Sequence, residues 1–291
     1  MYVATIIDAG SLGYGDVNEA WDRLDVAGCQ PVEDWNFLDE GDAADIFFET
    51  NPASARAALT SESVDVVVQL AEGRAKQLLV ADMDSTMITV ECIDELADYA
   101  GIKPQIAEIT ERAMRGELDF EAALDARVAL LAGLEEAAID RCRTERVTLM
   151  PGARTLVRTM RARGGTAVLV SGGFTRFAEP VAAEIGFDRA IANVLEIADG
   201  RLTGAVARPI VGAAAKKAAL LDYRASLGIS DTATLAVGDG ANDLSMIEVA
   251  GLGVAYHAKP IVAAAASARI DHNDLTALLW AQGIPRAEWI D

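Results

Sequence analysis

The pattern of apolar and polar residues divides the chain into three stretches. From residue 1 to about 75, strand-like runs and helical spacing predict the order β-α-β-β-α-β, which is a ferredoxin-like arrangement. From about 89 to 150 the spacing is almost wholly helical. After residue 150, helices alternate with continuous apolar strands, a pattern typical of a parallel sheet that is covered on both faces.

A short apolar strand, "LLVA", comes before the helical stretch, so the helices interrupt the alternating part just after its first strand. We therefore predict an α/β domain over residues 76–291, with its core in 76–88 and 151–291 and a helical cap in 89–150. Residues 1–75 are predicted to form a separate small α+β domain, joined by the charged segment "AEGRAKQ". Ligands of such sheets bind beyond the carboxyl ends of the strands, which the cap would cover.

Charge excludes several classes of partner. The formal net charge is −20 and the sequence pI is about 4.4, which argues against nucleic acid and against an anionic membrane. A small phosphorylated substrate is still compatible, because a metal ion or a few local donors can overcome a negative global field.

Three cysteines and two histidines narrow the setting further. The odd number of cysteines and the lack of a CxxC pair do not suggest a disulfide framework, and two histidines are too few for a His-based metal site. No apolar run is long enough to span a bilayer, and the N-terminus lacks the pattern of a signal peptide. We therefore expect a cytoplasmic protein.

Polar residues follow three of the predicted core strands. Asp82 and Asp84 follow "LLVA", Ser171 and Gly172 follow "AVLV", and Asp239 follows "TLAVG". Because the carboxyl ends of parallel strands lie along one edge of the sheet, these residues are predicted to meet. Two acids, a Gly-rich turn and a divalent cation are the components of phosphoryl transfer through an aspartyl intermediate.

Each of these motifs has a simpler interpretation when taken alone. An EF-hand loop starting at Asp82 is rejected, because Met87 and Ile93 stand where Gly and Glu are required. Ser-Gly-Gly is most often only a turn. "GDGAND" has Asp243, a residue also common at helix starts, where a dinucleotide fingerprint needs Gly. A lysine that could hold phosphate is present in "AAAKKAAL". Taken alone, Lys216 is most often a solvated helix lysine, and Lys217 beside it makes the choice ambiguous. Their joint occurrence, in order, favours phosphoryl transfer.

Together, "DMDST", "SGG", Lys216 and "GDGAND" resemble the four motifs of the haloacid-dehalogenase (HAD) superfamily. Within this superfamily, residues 77–280 resemble the phosphoserine phosphatase family. The segments that carry this resemblance include "MRGELDFEAALDARVALL" and "AYHAKP". The resemblance implies a HAD-like Rossmannoid fold, Mg²⁺ as cofactor, and hydrolysis of O-phospho-L-serine to L-serine and phosphate, the last step of serine biosynthesis. The first 75 residues would be a divergent ACT-like domain.

The resemblance also implies roles in the core. Asp82 is the nucleophile and a Mg²⁺ ligand, Asp84 is the general acid/base and binds the metal through its backbone carbonyl, and Asp239 is the third ligand. Lys216 pairs with the nucleophile and the phosphate; its distance of 23 residues from Asp239 favours it over Lys217. The other matched core residues bind phosphate (Ser171 through its hydroxyl, and Gly172), orient the first loop (Thr86), lie near the substrate (Asn242) or support Asp239 (Asp243).

Four cap residues match those that select the substrate. The resemblance implies that Glu91 meets the ammonium group, that Arg127 meets the carboxylate, and that Met114 and Phe120 shield the site from water. A zwitterionic amino acid needs one anion and one cation, and a bidentate arginine suits a carboxylate. The alternative is that Glu91 and Arg127 are ordinary surface charges.

Three alternatives stay open. The enzyme could act on another small phosphomonoester or pass the phosphoryl group from phosphoserine to homoserine, or the fold could serve as an inactive phospho-ligand sensor. For residues 1–75 we hypothesise amino-acid binding or homodimer formation, against a purely structural appendage.

Overall fold

The computed structural model describes residues 1–61, 63–114 and 117–291, and the side chains of Glu33 and Met114 also lie outside this description. Its strands are β1 (Tyr2–Leu12), β2 (Pro31–Asp39), β3 (Gly41–Phe48), β4 (Asp65–Leu70), β5 (Leu78–Ala81), β6 (Thr166–Phe174), β7 (Arg189–Asn193), β8 (Leu195–Ala198), β9 (Arg201–Val206), β10 (Thr234–Gly238), β11 (Leu252–Tyr256) and β12 (Ala268–Ile270). Its helices are α1 (Tyr14–Val26), α2 (Pro52–Leu59), α3 (Cys92–Tyr99), α4 (Lys103–Met114), α5 (Phe120–Ala129), α6 (Glu136–Arg146), α7 (Ala153–Ala162), α8 (Thr175–Ile185), α9 (Ala213–Leu227), α10 (Leu244–Ile247), α11 (Pro260–Ala265) and α12 (Ala277–Ala281).

The N-terminal elements follow the predicted β-α-β-β-α-β order. Their four strands form an antiparallel sheet in the order β2-β3-β1-β4. Apolar residues of β1 and β3 pack with one stripe of α1, formed by Val17, Ala20 and Leu24, in a core of their own. This helix buries one stripe because its apolar residues recur at helical spacing. The division into domains at residue 75 stays a prediction.

The core sheet is parallel and has the order β12-β11-β10-β5-β6-β7. This confirms the predicted α/β fold class. The three strands whose ends carry the sequence motifs, β10, β5 and β6, are neighbours in the middle of the sheet. All four residues of β5 are buried, as expected for a central strand covered by helices on both faces.

Two elements differ from the sequence prediction. Strand β7 was not predicted, because "RAIAN" is short and begins with a charged residue. The apolar spacing of "NDLSMIEVAG" predicts a helix from 242 to 251, whereas the structure has a 3₁₀ turn, Ala241–Asp243, followed by the short α10. Both differences lie next to the strand ends that carry the motifs.

The predicted cap consists of α3 to α6, inserted between β5 and β6. Its two connections to the core run side by side: Ile88 bridges Leu149, the Thr89 amide donates to the Thr148 carbonyl (3.0 Å), and the Met150 amide donates to the Met87 carbonyl (2.9 Å). The two connections thus form one narrow junction, and the cap also contacts the β8–β9 hairpin, where the Gly133 amide donates to the Leu202 carbonyl (2.8 Å).

The segment predicted to be a linker, residues 71–77, connects β4 to β5 and is anchored by hydrogen bonds. Arg74 donates two hydrogen bonds to the buried Asp45 of β3, at 2.5 and 3.0 Å. Lys76 donates to the carbonyls of Gly73 (3.1 Å) and Thr232 (2.8 Å). Arg74 pairs with a buried carboxylate that would be costly alone. Its Nη2 also donates to the Trp280 carbonyl (3.1 Å), so Arg74 links the N-terminal sheet to the core.

The helices and the cysteines were also the subject of predictions from the sequence. Among the described residues, no helix combines the length and the apolar character needed to cross a bilayer. Cys29, Cys92 and Cys142 are all free thiols, and all are buried.

Candidate active site

Asp82 and Asp239 are brought together by strand pairing. β5 and β10 are parallel neighbours in which Ala81 pairs with Val237, and each aspartate lies just beyond that register. The Asp82 amide continues the ladder by donating to the Val237 carbonyl (3.0 Å). The carboxylates of the two residues therefore face the same space.

Lys216 is the lysine that reaches this space. It is fully buried, and its Nζ lies 2.5 Å from Asp82 Oδ1 and 2.7 Å from Asp243 Oδ1. Lys217, the alternative that the sequence left open, is exposed. Burial lowers the pKa of the Lys216 ammonium, but Asp82 and Asp243 more than reverse this effect, so its pKa is raised and it stays charged.

Asp243 is held from two sides. The Gly240 amide donates to its Oδ2 (3.1 Å), and Lys216 binds its Oδ1. A Cβ atom on Gly238 would lie 2.3 Å from Asp243 Cγ, so only glycine fits at the end of β10. Gly238, the first glycine of "GDGAND", therefore makes room for the Asp243 carboxylate, which lies against the end of β10.

Asp84 has the chemistry of a general acid. One carboxyl oxygen accepts a hydrogen bond from the Cys92 amide (3.2 Å). Burial, with further repulsion from Glu91 and Asp82, raises the pKa of Asp84 to about 8. A carboxyl group that keeps its proton near neutral pH can donate it to a leaving group.

The first loop also contacts the cap. Ser85 adopts a left-handed backbone conformation (φ 55°), which is uncommon for a residue other than glycine. Its hydroxyl donates to Glu91 Oε1 (2.8 Å). Thr86 is fully buried, and its hydroxyl lies 3.5 Å from Asp239 Oδ1.

The Gly-rich turn bulges out of the strand pairing between β6 and β7. Val170 pairs with Ile191 and Phe174 pairs with Asn193, so three residues of β6 oppose one residue of β7. Within this bulge the Ser171 hydroxyl oxygen accepts from the Gly173 amide (2.8 Å). The hydroxyl proton is thus left available for donation.

Cap residues form the opposite wall. Phe120, 37% exposed, lies against two core glycines: a Cβ atom on Gly172 or Gly212 would come within 3.2 or 3.1 Å of its ring. Arg127 is half-buried, and its Nε donates to the Ala123 carbonyl (3.2 Å). Burial lowers the pKa of the Arg127 guanidinium, while nearby acids, Glu91 among them, oppose that effect.

Core and cap together line a cavity of about 120 Å³ at the ends of these strands. The predicted site residues that line it are Asp82, Asp84, Glu91, Phe120, Arg127, Gly172, Asp239 and Asn242. Four predicted residues lie behind that lining: Thr86, Ser171, Lys216 and Asp243. Met114 ends α4, but its side chain lies outside the described part of the chain.

Two functional candidates were missed in the sequence. Lys259 lines the cavity, and its amide donates to the Asp239 carbonyl (3.2 Å). The rule applied to three strand ends would have found it if applied to β11 as well. Asn193 contacts the Gly-rich turn from β7, and no sequence signal marks it because that strand was not predicted.

Carboxylates of the site fit a hard divalent cation. Oxygen atoms of Asp82, Asp239 and Asp243 lie within 4.8 Å of one another, and carboxylate oxygens are the ligands that Mg²⁺ prefers. Burial, with repulsion from Asp82 and Glu91, raises the pKa of Asp239 to about 6. A cation between these groups would relieve that repulsion.

Comparison with known proteins finds many relatives. The family model for haloacid dehalogenase-like hydrolases matches residues 79–248. The phosphoserine phosphatase of Streptomyces coelicolor is 48% identical over 246 residues, which is 82% of this chain. The chain spans 59% of that relative's length.

Solved structures resemble nearly the whole chain. A HAD family hydrolase from Salmonella enterica is 30% identical, with a TM-score of 0.84, and the match covers 96% of this chain and 97% of that one. A probable phosphoserine phosphatase from Vibrio cholerae is 34% identical, with a TM-score of 0.76, over 97% of this chain and 88% of that one. The likeness therefore includes the N-terminal sheet.

Proposed function

The chain belongs to the haloacid dehalogenase-like hydrolases, and from this premise we propose that it hydrolyses O-phospho-L-serine to L-serine and phosphate with Mg²⁺ as cofactor. The observation that carries the proposal is that Asp82 and Asp84 line the same cavity as Glu91 and Arg127. One wall offers phosphoryl chemistry, and the other offers an anion and a cation for a zwitterion. The names of the similar proteins agree with this substrate.

Mg²⁺ would be held by Asp82 and Asp239 with the Asp84 carbonyl, supported by Asp243. When bound, the ion would neutralise negative charge on the phosphate. The cation also suits the site's own charge, because acidic groups outnumber basic ones among the described residues around the cavity. The acids are Asp82, Asp84, Glu91, Asp239 and Asp243, and the bases are Arg127, Lys216 and Lys259.

The attacking atom can be assigned within Asp82. Its Oδ1 accepts hydrogen bonds from the Met83 amide (2.8 Å) and from Lys216 Nζ (2.5 Å). Two donors fix that oxygen, whereas no described residue donates a hydrogen bond to Oδ2, so we propose that Oδ2 attacks phosphorus. As the new O–P bond forms, the bond to the serine oxygen breaks, and Asp84 donates its proton to that oxygen.

The second half of the reaction restores the Asp82 carboxylate and the protonated Asp84. A water attacks the phosphorus of the aspartyl phosphate, Asp84 accepts a proton from the water, and Asp82 leaves as a carboxylate. Ser171 and Lys216 would hold the phosphoryl oxygens in both steps. Phe120 would cover the intermediate and exclude water before serine departs.

Substrate selection follows from the charges on the cap. Glu91 would accept from the substrate ammonium, and Arg127 would donate to its carboxylate. A phosphomonoester that lacks one of these groups leaves the matching cap charge unpaired, which costs binding free energy.

The deciding experiment measures phosphate release from O-phospho-L-serine with Mg²⁺ and with a chelator. We expect release only with Mg²⁺, and slower release from O-phosphoethanolamine and 3-phosphooxypropanoate. Activity confined to other phosphomonoesters would overturn the substrate, whereas phosphohomoserine formed in the presence of homoserine would identify a transferase. Absence of turnover on every substrate would favour the phospho-ligand sensor.

For residues 1–75 we propose a separate domain that joins two copies of the chain in the cytoplasm. The four-stranded sheet with its own core supports the separate domain, and its joining of two copies is the hypothesis to be tested. Light scattering of the intact protein at micromolar concentration tests it, because a monomer mass would overturn the dimer.

A further inference from the structure

The Gly-rich turn depends on a side chain from outside the sequence motifs. The bulge at 171–173 takes these residues out of register with β7, so their backbone groups lose ladder partners. Carbonyls that leave the ladder and are shielded from water need other donors. Asn193, the last residue of β7, supplies one: its Nδ2 donates to the Gly172 carbonyl (2.9 Å).

Asn193 also binds the segment that leads into α9. Its Nδ2 donates to the Val211 carbonyl (3.1 Å), and its Oδ1 accepts from the Val211 amide (2.8 Å). The side chain is 1% exposed and makes all three bonds with backbone. Asn193 therefore clamps together two loops that are far apart in the sequence.

Both loops belong to the site. Gly172 lines the cavity, and Gly212, directly after Val211, precedes α9 and accepts from the Lys216 amide (3.1 Å). The same two glycines form the surface on which Phe120 rests. The separation that Asn193 sets thus fixes the phosphate turn, the start of the Lys216 helix and the seat of Phe120.

We propose that Asn193 is a positioning residue, which holds the Gly172 turn and the Val211–Gly212 segment at the spacing needed to bind a phosphoryl group. The proposal rests on the proposed function, since it assigns phosphate to this turn. In this proposal Asn193 contacts neither substrate nor metal. It acts through the backbone of the Gly172 turn and of the Val211–Gly212 segment.

Asn193→Ala tests it by direct binding. Calorimetric titration with inorganic phosphate in the presence of Mg²⁺ should show affinity about tenfold weaker or more than in the intact protein. With phosphoserine as substrate, KM should rise more than kcat falls. Inorganic phosphate probes the turn whatever the natural substrate is.

A matched control is available in Asn273. Its side chain also makes three hydrogen bonds, accepting from Ala9 and donating to Ile7 and Asp65, at the junction of the N-terminal sheet with the core. Asn273→Ala should lower the unfolding temperature to a similar degree but leave phosphate affinity within about twofold of the intact protein. Asn193→Ala with lowered thermal stability but unchanged phosphate affinity would show a merely structural role and overturn the proposal.

Two further measurements keep the inference decidable. If Asn193→Ala does not fold, Asn193→Ser keeps one donor and should show a weaker form of the same loss. In the intact protein the Val211 amide should exchange with deuterium as slowly as the core strands, and loop-like exchange would overturn the clamp. Phosphate binding without hydrolysis of phosphoserine would reject only the proposed substrate, whereas no phosphate binding would reject both.

Discussion

The two walls of the cavity are built differently. On the core side, Lys216, Asp243 and Ser171 are fully buried and held by ion pairs or backbone bonds. On the cap side, Glu91 is exposed and Phe120 is 37% exposed. Groups that carry charge through a reaction need fixed positions, whereas groups that read a substrate need to reach it. The core wall therefore suits catalysis, and the cap wall suits selection.

The largest expected effect lies on the core wall. Asp82→Asn should slow phosphate release by several orders of magnitude, because an amide is a poor nucleophile. The variant should still fold, since Lys216 keeps Asp243 as a partner. Asp125→Asn is the control and should keep the rate, because the Asp125 carboxylate pairs with Arg208 and does not line the cavity. Substantial turnover by a folded Asp82→Asn protein would contradict the assignment of the nucleophile.

On the cap wall, substitutions should change selectivity. Arg127→Ala should lower kcat/KM for phosphoserine roughly 10- to 100-fold, the size expected for charge-assisted hydrogen bonds. It should affect O-phosphoethanolamine, which has no carboxylate, far less. Glu91→Gln should show the reverse pattern, sparing 3-phosphooxypropanoate. Equal losses on all three substrates would break the distinction between the two walls.

Lys259 is an exposed residue on the core side and so sharpens the comparison. Lys259→Gln should raise KM about 2- to 5-fold, since an exposed charge contributes little through water. The rise should shrink at high salt. Lys217→Gln removes the same charge from an exposed position beside the buried Lys216, and should leave KM unchanged. If the two variants behaved alike, only net charge would matter.

The smallest expected effect concerns stability without metal. The raised pKa of Asp239, about 6, means that the folded protein holds this proton more tightly than the unfolded chain. The free energy of unfolding that the protonated Asp239 contributes is therefore lost as pH rises from about 4 to 6. Asp239→Asn should raise the unfolding temperature at pH 7 by about 1–3 °C, with solvent screening keeping it small, and change it little at pH 4.

With Mg²⁺ added at pH 7, the unsubstituted protein should unfold at a higher temperature than Asp239→Asn. The ion should stabilise the unsubstituted protein at pH 7 by binding its folded state, and Asp239→Asn much less. Thermal unfolding at both pH values, with and without Mg²⁺, checks both parts. A variant stabilised by Mg²⁺ as much as the parent would remove Asp239 from the metal site.

The sequence reveals more of the core wall than of its support. Asp82 and Asp239 could be found because each follows an apolar run with the length and composition of a buried strand. Lys216 and Lys217 could not be separated by pattern, since neighbours on a helix point about 100° apart and only packing decides which is buried. The roles of Glu91, Phe120 and Arg127 came from resemblance, not from spacing.

Asn193 shows why the remainder was out of reach. Its contacts depend on a bulge in a neighbouring strand and on a loop 18 positions away, neither of which leaves a local pattern. The short helix after Asp243 was likewise overextended, because its apolar spacing continues to Val249 although the helix ends at Ile247. Tertiary packing decides both outcomes.

The junction at Ile88 and Leu149, where the two segments that connect the cap to the core run side by side, has an evolutionary consequence. Because the insertion begins and ends at adjacent points, a gene segment encoding a different cap could be spliced in there without disturbing the sheet. The new segment would inherit the nucleophile, the lysine and the phosphate turn already assembled. Such a lineage could acquire new substrates by exchanging one cassette while its chemistry descends unchanged.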